Sequence, residues 1–259
     1  MRTSTKKAVP AVAVTTTTTT IAPEAPAALS VGIRFERNHD TLAKLGEVAD
    51  ALPMLSIRFA DILNHPVFQL EGPVVVGVTS AVAGEGVTSV ALQLAATLAR
   101  SDIRHVCLMD FNLANDDLTG RVSLPKTTGL NGVLENSDTV VHSYGCAELE
   151  DLQIVPGGKP VANPARASRA PRAQQVLTLA RERFDVTIVE LPPLATGDAP
   201  PIVDHLDGVI VVVCAGVTPK DLVATALSRL DPVKRVGIVL NRIQVAGPRW
   251  LVRKFAPWW

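Results

Sequence analysis

Residues 74–100 read VVVGVTSAVAGEGVTSVALQLAATLAR. Val74–Thr79 is a short β-branched run that suits a strand, and Thr88–Arg100 repeats apolar residues at helical spacing and closes on a basic residue. Between them lies a turn holding Gly84 and Gly86. A strand that passes through a glycine-containing turn into a helix aims backbone N–H groups and the positive end of the helix dipole at one spot, a natural cradle for phosphate. A plain strand-to-helix turn would use the same two glycines, so the reading depends on what the rest of the chain supplies.

The rest of the chain supplies more strands of the same kind, at His105–Asp110, Leu152–Val155, Val186–Glu190, Val209–Cys214 and Val236–Leu240, separated by helical stretches. GVIVVVC, residues 208–214, does not alternate polar with apolar residues. Both of its faces must be covered, as in a parallel sheet between helix layers. The pattern predicts a doubly wound, mainly parallel α/β domain over residues 72–245. Residues 1–30 are rich in Thr, Ala and Pro without apolar period and read as a disordered arm. Residues 31–71 read as a helical extension, because Leu42, Leu45, Val48, Leu52 and Leu55 keep helical spacing over Asp40–Leu63, interrupted by Pro53. Residues 246–259 form a tail in which Trp250, Trp258 and Trp259 mix with Arg249, Arg253 and Lys254. Such a tail suits a partner groove, a membrane interface, or folding back onto its own domain.

Charge excludes little but directs the search. The 25 Lys and Arg residues equal the 25 Asp and Glu, so nothing in the balance calls for nucleic acid. Cys107 and Cys214 sit inside apolar runs rather than in paired or metal-ligand spacing, which suits a reducing, cytoplasmic compartment. The start MRTSTKKAVPAVAV is broken by Pro10 and followed by Thr15–Thr20, unlike a secretory signal. No apolar run approaches the roughly 18 to 20 residues that cross a bilayer. His39, His65, His105, His142 and His205 show no zinc-site spacing, no GxSxG occurs, and the arginine-rich ARASRAPRAQQ of residues 165–175 reads as a solvated helix start.

The loop SAVAGEGVTS, Ser80–Ser89, resembles the phosphate loop SxxPGEGKST of the bacterial tyrosine kinases of capsule and exopolysaccharide systems, which belong with the MinD/ParA-like P-loop ATPases of deviant Walker type. The likeness runs over about residues 72–243. VCLMDFNLA matches that group's DxDxR motif with Asp110 kept, Asn112 for the second carboxylate and Ala114 for the arginine. TIVELPP matches its DxPP motif with Glu190 for aspartate and with Pro192 and Pro193 kept. GLNGVL (residues 129–134), VPGGKPVANP (155–164), Asp198 and VLNR (239–242) match further stretches. The resemblance implies ATP or ADP with magnesium as ligands. It places the nucleotide on Gly84, Glu85, Gly86, Val87, Thr88, Ser89, Asn241 and Arg242, with Asn241 facing the base. It places the metal on Thr88, Asp110 and Glu190, and the catalytic positions at Asp110, Asn112 and Glu190.

Several of those positions carry the wrong chemistry. Val87 stands where the family has lysine, and Val82 stands where the related partition ATPases have another. Valine supplies neither charge nor hydrogen bond, and Asn112 lacks the negative charge that favours a divalent ion or a base. Lys159 and Lys220 are the cations considered as replacements. The kinases phosphorylate a tyrosine cluster in their own tails, whereas Tyr144 is the one tyrosine here. The resemblance thus implies a degenerate, weakly or non-catalytic member that regulates exopolysaccharide export by binding a membrane polysaccharide co-polymerase (Wzz-like). It would be cytoplasmic, at the inner membrane through that partner, with self-association through Arg58 in Leu55–Leu63. The other readings are an active ATPase or tyrosine kinase with a rearranged site, and a ParA/MinD-type positioning ATPase.

Overall fold

The computed structural model describes residues 32–46, 48, 59, 61–101, 105–124, 129–196 and 200–242. The arm 1–30, the tail 246–259, Arg58 and Asp198 lie outside them. The strands are β1 (Arg34–Ala43), β2 (Val74–Ser80), β3 (Val106–Asp110), β4 (Val140–Cys146), β5 (Leu152–Val155), β6 (Val186–Glu190), β7 (Gly208–Cys214) and β8 (Arg235–Asn241). The helices are α1 (Val87–Arg100), α2 (Asp117–Arg121), α3 (Gly129–Leu134), α4 (Pro164–Ser168), α5 (Pro171–Arg183), α6 (Pro200–Val203) and α7 (Lys220–Ser228).

One sheet carries all eight strands in the order β1-β4-β5-β3-β6-β2-β7-β8. From β5 to β8 every pairing is parallel, and β4 joins β5 antiparallel. This is the doubly wound, mainly parallel α/β fold that the strand pattern predicts. Side chains sort by parity along each strand. Val74, Val76, Val78, Leu108 and Ile188 meet α1 on one face, while Val75, Met109, Val189 and Val211 meet α3, α5 and α7 on the other. That double cover explains why every residue of β2 and β7 is buried.

The N-terminal extension departs from expectation. Arg34–Ala43 is not helical; it forms β1, parallel to β4, with Arg34 opposite Val140 and Asn38 opposite Tyr144. The α/β unit therefore begins near Gly32 rather than at residue 72. An outermost strand is solvated along one side and carries charges such as Arg34, Glu36 and Arg37, so it lacks the apolar run that betrays a buried strand. Helical backbone does occur at Val48, Phe59 and residues 61–63, within the stretch read as helical. Phe35 anchors β1 by edge-to-face contact with Phe184, ring centres 6.0 Å apart. At the opposite border β8 is thinly covered, with Ile238 47% and Leu240 55% exposed.

Candidate functional site

Because β2, β3, β6, β7 and β8 run parallel, their C-terminal ends and the loops that follow collect on one edge of the sheet, where open α/β folds bind ligands. The loop after β2 is shaped by two left-handed glycines, Gly84 at φ 84° and Gly86 at φ 94°. Gly86 caps α1, and a Cβ there would stand 2.3 Å from Asn241 Nδ2. The loop is also braced from behind. Glu85 turns its buried side chain away from the helix end, where Oε2 accepts from Val82 N (2.9 Å) and Oε1 accepts from Cys214 N (2.9 Å) and the Thr218 hydroxyl. Asn241 Nδ2 donates to the Glu85 carbonyl (2.8 Å). Glu85 and Asn241, which the resemblance placed on the nucleotide, thus spend these side-chain groups on holding the loop.

In front of the loop opens a cleft of about 500 Å³, lined among others by Gly84, Gly86, Val87, Thr88, Ser89, Asn112, Glu190 and Arg242. A larger depression, about 740 Å³, lies elsewhere beside Arg166 and Arg169, and none of the site positions lines it. Convergence of the loop backbone with acidic and hydroxyl groups makes the smaller cleft the candidate site. Val87 is partly buried and packs against the core on the α1 side. Arg242 adopts φ 56°, unusual for a residue with a side chain, and its N–H donates to Asn241 Oδ1 (2.9 Å).

Asp110 and Glu190 end adjacent strands in register. Thr88 donates its hydroxyl to Glu190 Oε1 (2.5 Å), while Glu190 Oε2 is buried with no hydrogen-bond partner. Asp110 is buried behind the cleft, its Oδ1 accepting from Asn112 N (2.8 Å). Burial first, then the charge of Glu190, pushes the Asp110 carboxyl well up; the Asn112 and Gly157 N–H groups pull it the other way. Glu190 is pushed up to about 7, chiefly by burial, with Asp117 raising it further and the Thr88 hydroxyl and Arg121 opposing. Behind Asp110, GLNGVL docks on VPGGKP through Leu130 N to Pro156 O and Asn131 N to Gly157 O, so two separately matched stretches form one support.

A magnesium ion fits this donor set. Oxygen ligands suit it, and the orphaned Glu190 Oε2 is a buried acceptor without a donor. Among the described residues no group of three or more His, Cys, Asp or Glu can hold a metal, so phosphate oxygens would have to complete the shell. Lys159 and Lys220 do not line the cleft. Arg121, Asp117 and Asn115 do, and the motifs pointed to none of them. They lie on or just before the five-residue helix α2, too short to show periodicity.

No family model matches the chain. The tyrosine-protein kinase CpsD of Streptococcus pneumoniae serotype 4 is 27% identical over 176 residues, 66% of this chain and 77% of that protein. The homologues are bacterial tyrosine kinases. The succinoglycan biosynthesis transport protein ExoP of Rhizobium meliloti is 30% identical over 177 residues, 65% of this chain and 22% of ExoP. Among solved structures, the kinase domain of Escherichia coli ETK superposes with TM-score 0.63 at 23% identity, over 77% of this chain and 79% of that one. The septum site-determining protein MinD of Pyrococcus horikoshii OT3, complexed with Mg-ADP, gives 0.53 at 18%, over 70% and 76%. At these identities the superpositions show the fold, that of P-loop NTPases.

Proposed function

We propose that this chain is a degenerate, tyrosine-kinase-like P-loop protein that acts in exopolysaccharide assembly by binding a partner. Nucleotide in the Gly84–Ser89 loop is a structural or signalling ligand, and phosphoryl transfer is weak or lost. One contrast within one cleft carries the reading. The glycine cradle and the Thr88–Glu190 pair are in place, yet Val87 beside them is apolar, lining the cleft and packing against the core. Phosphoryl transfer relies on preorganised cations and carboxylates around the migrating group, and each one removed costs roughly 3 to 4 kcal/mol of barrier. Here Val87 and Asn112 both lack the required charge.

Thr88 and Glu190 would hold magnesium, and the loop N–H groups the phosphates. Bound magnesium would offset the phosphate charge. The name of ExoP, succinoglycan biosynthesis and transport, supports the pathway, and a membrane polysaccharide co-polymerase is the partner class we assign to it. No helix among the described residues is long and apolar enough to cross a membrane, so attachment would run through that partner. The absence of both lysines, with Val82 and Val87 in their places, disfavours a positioning ATPase.

Calorimetric titration with ADP and ATP, with and without magnesium, tests the proposal. Magnesium-dependent binding without phosphate release above background supports it. Release that disappears in Thr88→Ala would make the protein an active enzyme instead, and no binding would remove nucleotide from the account.

A further inference from the structure

The loop itself carries no cation, because Val87 stands at the lysine position, and a nucleotide carries several negative charges. Asp117 and Glu190 both line the cleft and would repel it. A cleft that takes polyphosphate must supply positive charge from somewhere else. Arg242, just after the end of β8, lines the cleft on a left-handed backbone. Arg121, the last residue of α2, lines the cleft together with Gly86, Val87, Thr88 and Ser89. It also borders the neighbouring depression beside Ser89 and Gln93, which places it along the first turns of α1. Among the described residues no hydrogen bond or ion pair ties down its guanidinium, although Asp117 lies one helical turn away.

We propose that Arg121 replaces the missing loop lysine and binds the phosphates of a nucleotide in this cleft. The inference rests on the nucleotide reading above and adds the residue that makes it electrostatically workable. A guanidinium presents a planar fork of donors that engages phosphate oxygens in pairs, and it stays charged at every physiological pH. A lysine at position 87 would approach from within the loop. Arg121 approaches from α2, the helix that follows Asp110 and Asn112.

The test compares ADP and ATP titrations of the wild-type chain with Arg121→Ala, Arg121→Lys and the double variant Arg121→Ala/Val87→Lys, at low and high salt. Thermal melts of each variant check that it folds. Arg121→Ala is expected to weaken both nucleotides by about tenfold or more, with Arg121→Lys recovering part of the loss. The gap should narrow as salt rises, and the double variant should regain affinity. Binding unchanged in Arg121→Ala overturns this inference alone. So does a loss that is independent of salt and not rescued by lysine, because that would be a structural effect. Absence of nucleotide binding in the wild type overturns the nucleotide reading and this inference with it.

Discussion

Glu85 does structural work that its place between two glycines conceals. One buried carboxylate gathers Val82 N, Cys214 N and the Thr218 hydroxyl, fastening the loop to the end of β7. Removing it strands the buried Cys214 N–H and the part-buried Val82 N–H, the buried one worth about 1 to 3 kcal/mol. Glu85→Ala is therefore expected to lower unfolding free energy by roughly 2 to 4 kcal/mol in urea titrations and to abolish nucleotide binding. Glu190 titrates in a different way. Its folded value, about 7, stands above the ordinary 4.5, so the folded chain holds the proton more tightly than the unfolded one. The stability this gives is complete below pH 4.5 and is lost as pH rises through 7. Asp110, Asp117 and Arg121 face the same carboxyl and set the size of the effect. Between pH 5 and pH 8, Glu190→Gln should gain on the wild type by about 1 to 3 kcal/mol, read from urea midpoints. Parallel pH profiles for the two proteins would contradict the assignment.

The turn between β2 and α1 tolerates no side chain at Gly86. The backbone there is left-handed and Asn241 fills the space beyond. Gly86→Ala should cost about 1 to 3 kcal/mol in thermal or urea melts and disable the cradle. This turn, and the strands whose both faces are covered, were legible in the sequence because burial leaves an unbroken apolar run. Leu152–Val155 and Val186–Glu190 match the predicted limits. β1 and β4 were not legible. HDTLA puts polar residues into a half-covered border strand, and VVHSYGC, although largely buried, breaks its apolar run with His142, Ser143 and Gly145; no local pattern tells a charged border strand from a helix that shares its leucines. The cleft was half legible. The family resemblance brought Thr88, Asn112 and Glu190 together, but Arg121, outside the matched motifs, arrives through a tertiary approach that sequence spacing does not encode.

On the proposed reading the chain keeps a glycine-shaped loop and the Thr88–Glu190 pair, while Val87 and Asn112 stand where the resemblance puts charged groups. Val87→Lys combined with Asn112→Asp and Glu190→Asp should therefore gain magnesium-dependent phosphate release, about tenfold or more over the wild type, in a phosphate assay. No gain would mean that the supporting residues have drifted along with the reactive ones.

Asn241 closes β8, the thinly covered border strand, and at the same time holds the Glu85 carbonyl of the loop. The border and the cleft are in this way two ends of one mechanical linkage. A nucleotide that stiffens the loop should slow amide hydrogen exchange at Cys214, and at Ala215, which donates to the Asn241 carbonyl. By thermodynamic reciprocity, whatever pins the β8 border would in turn tighten the grip on nucleotide.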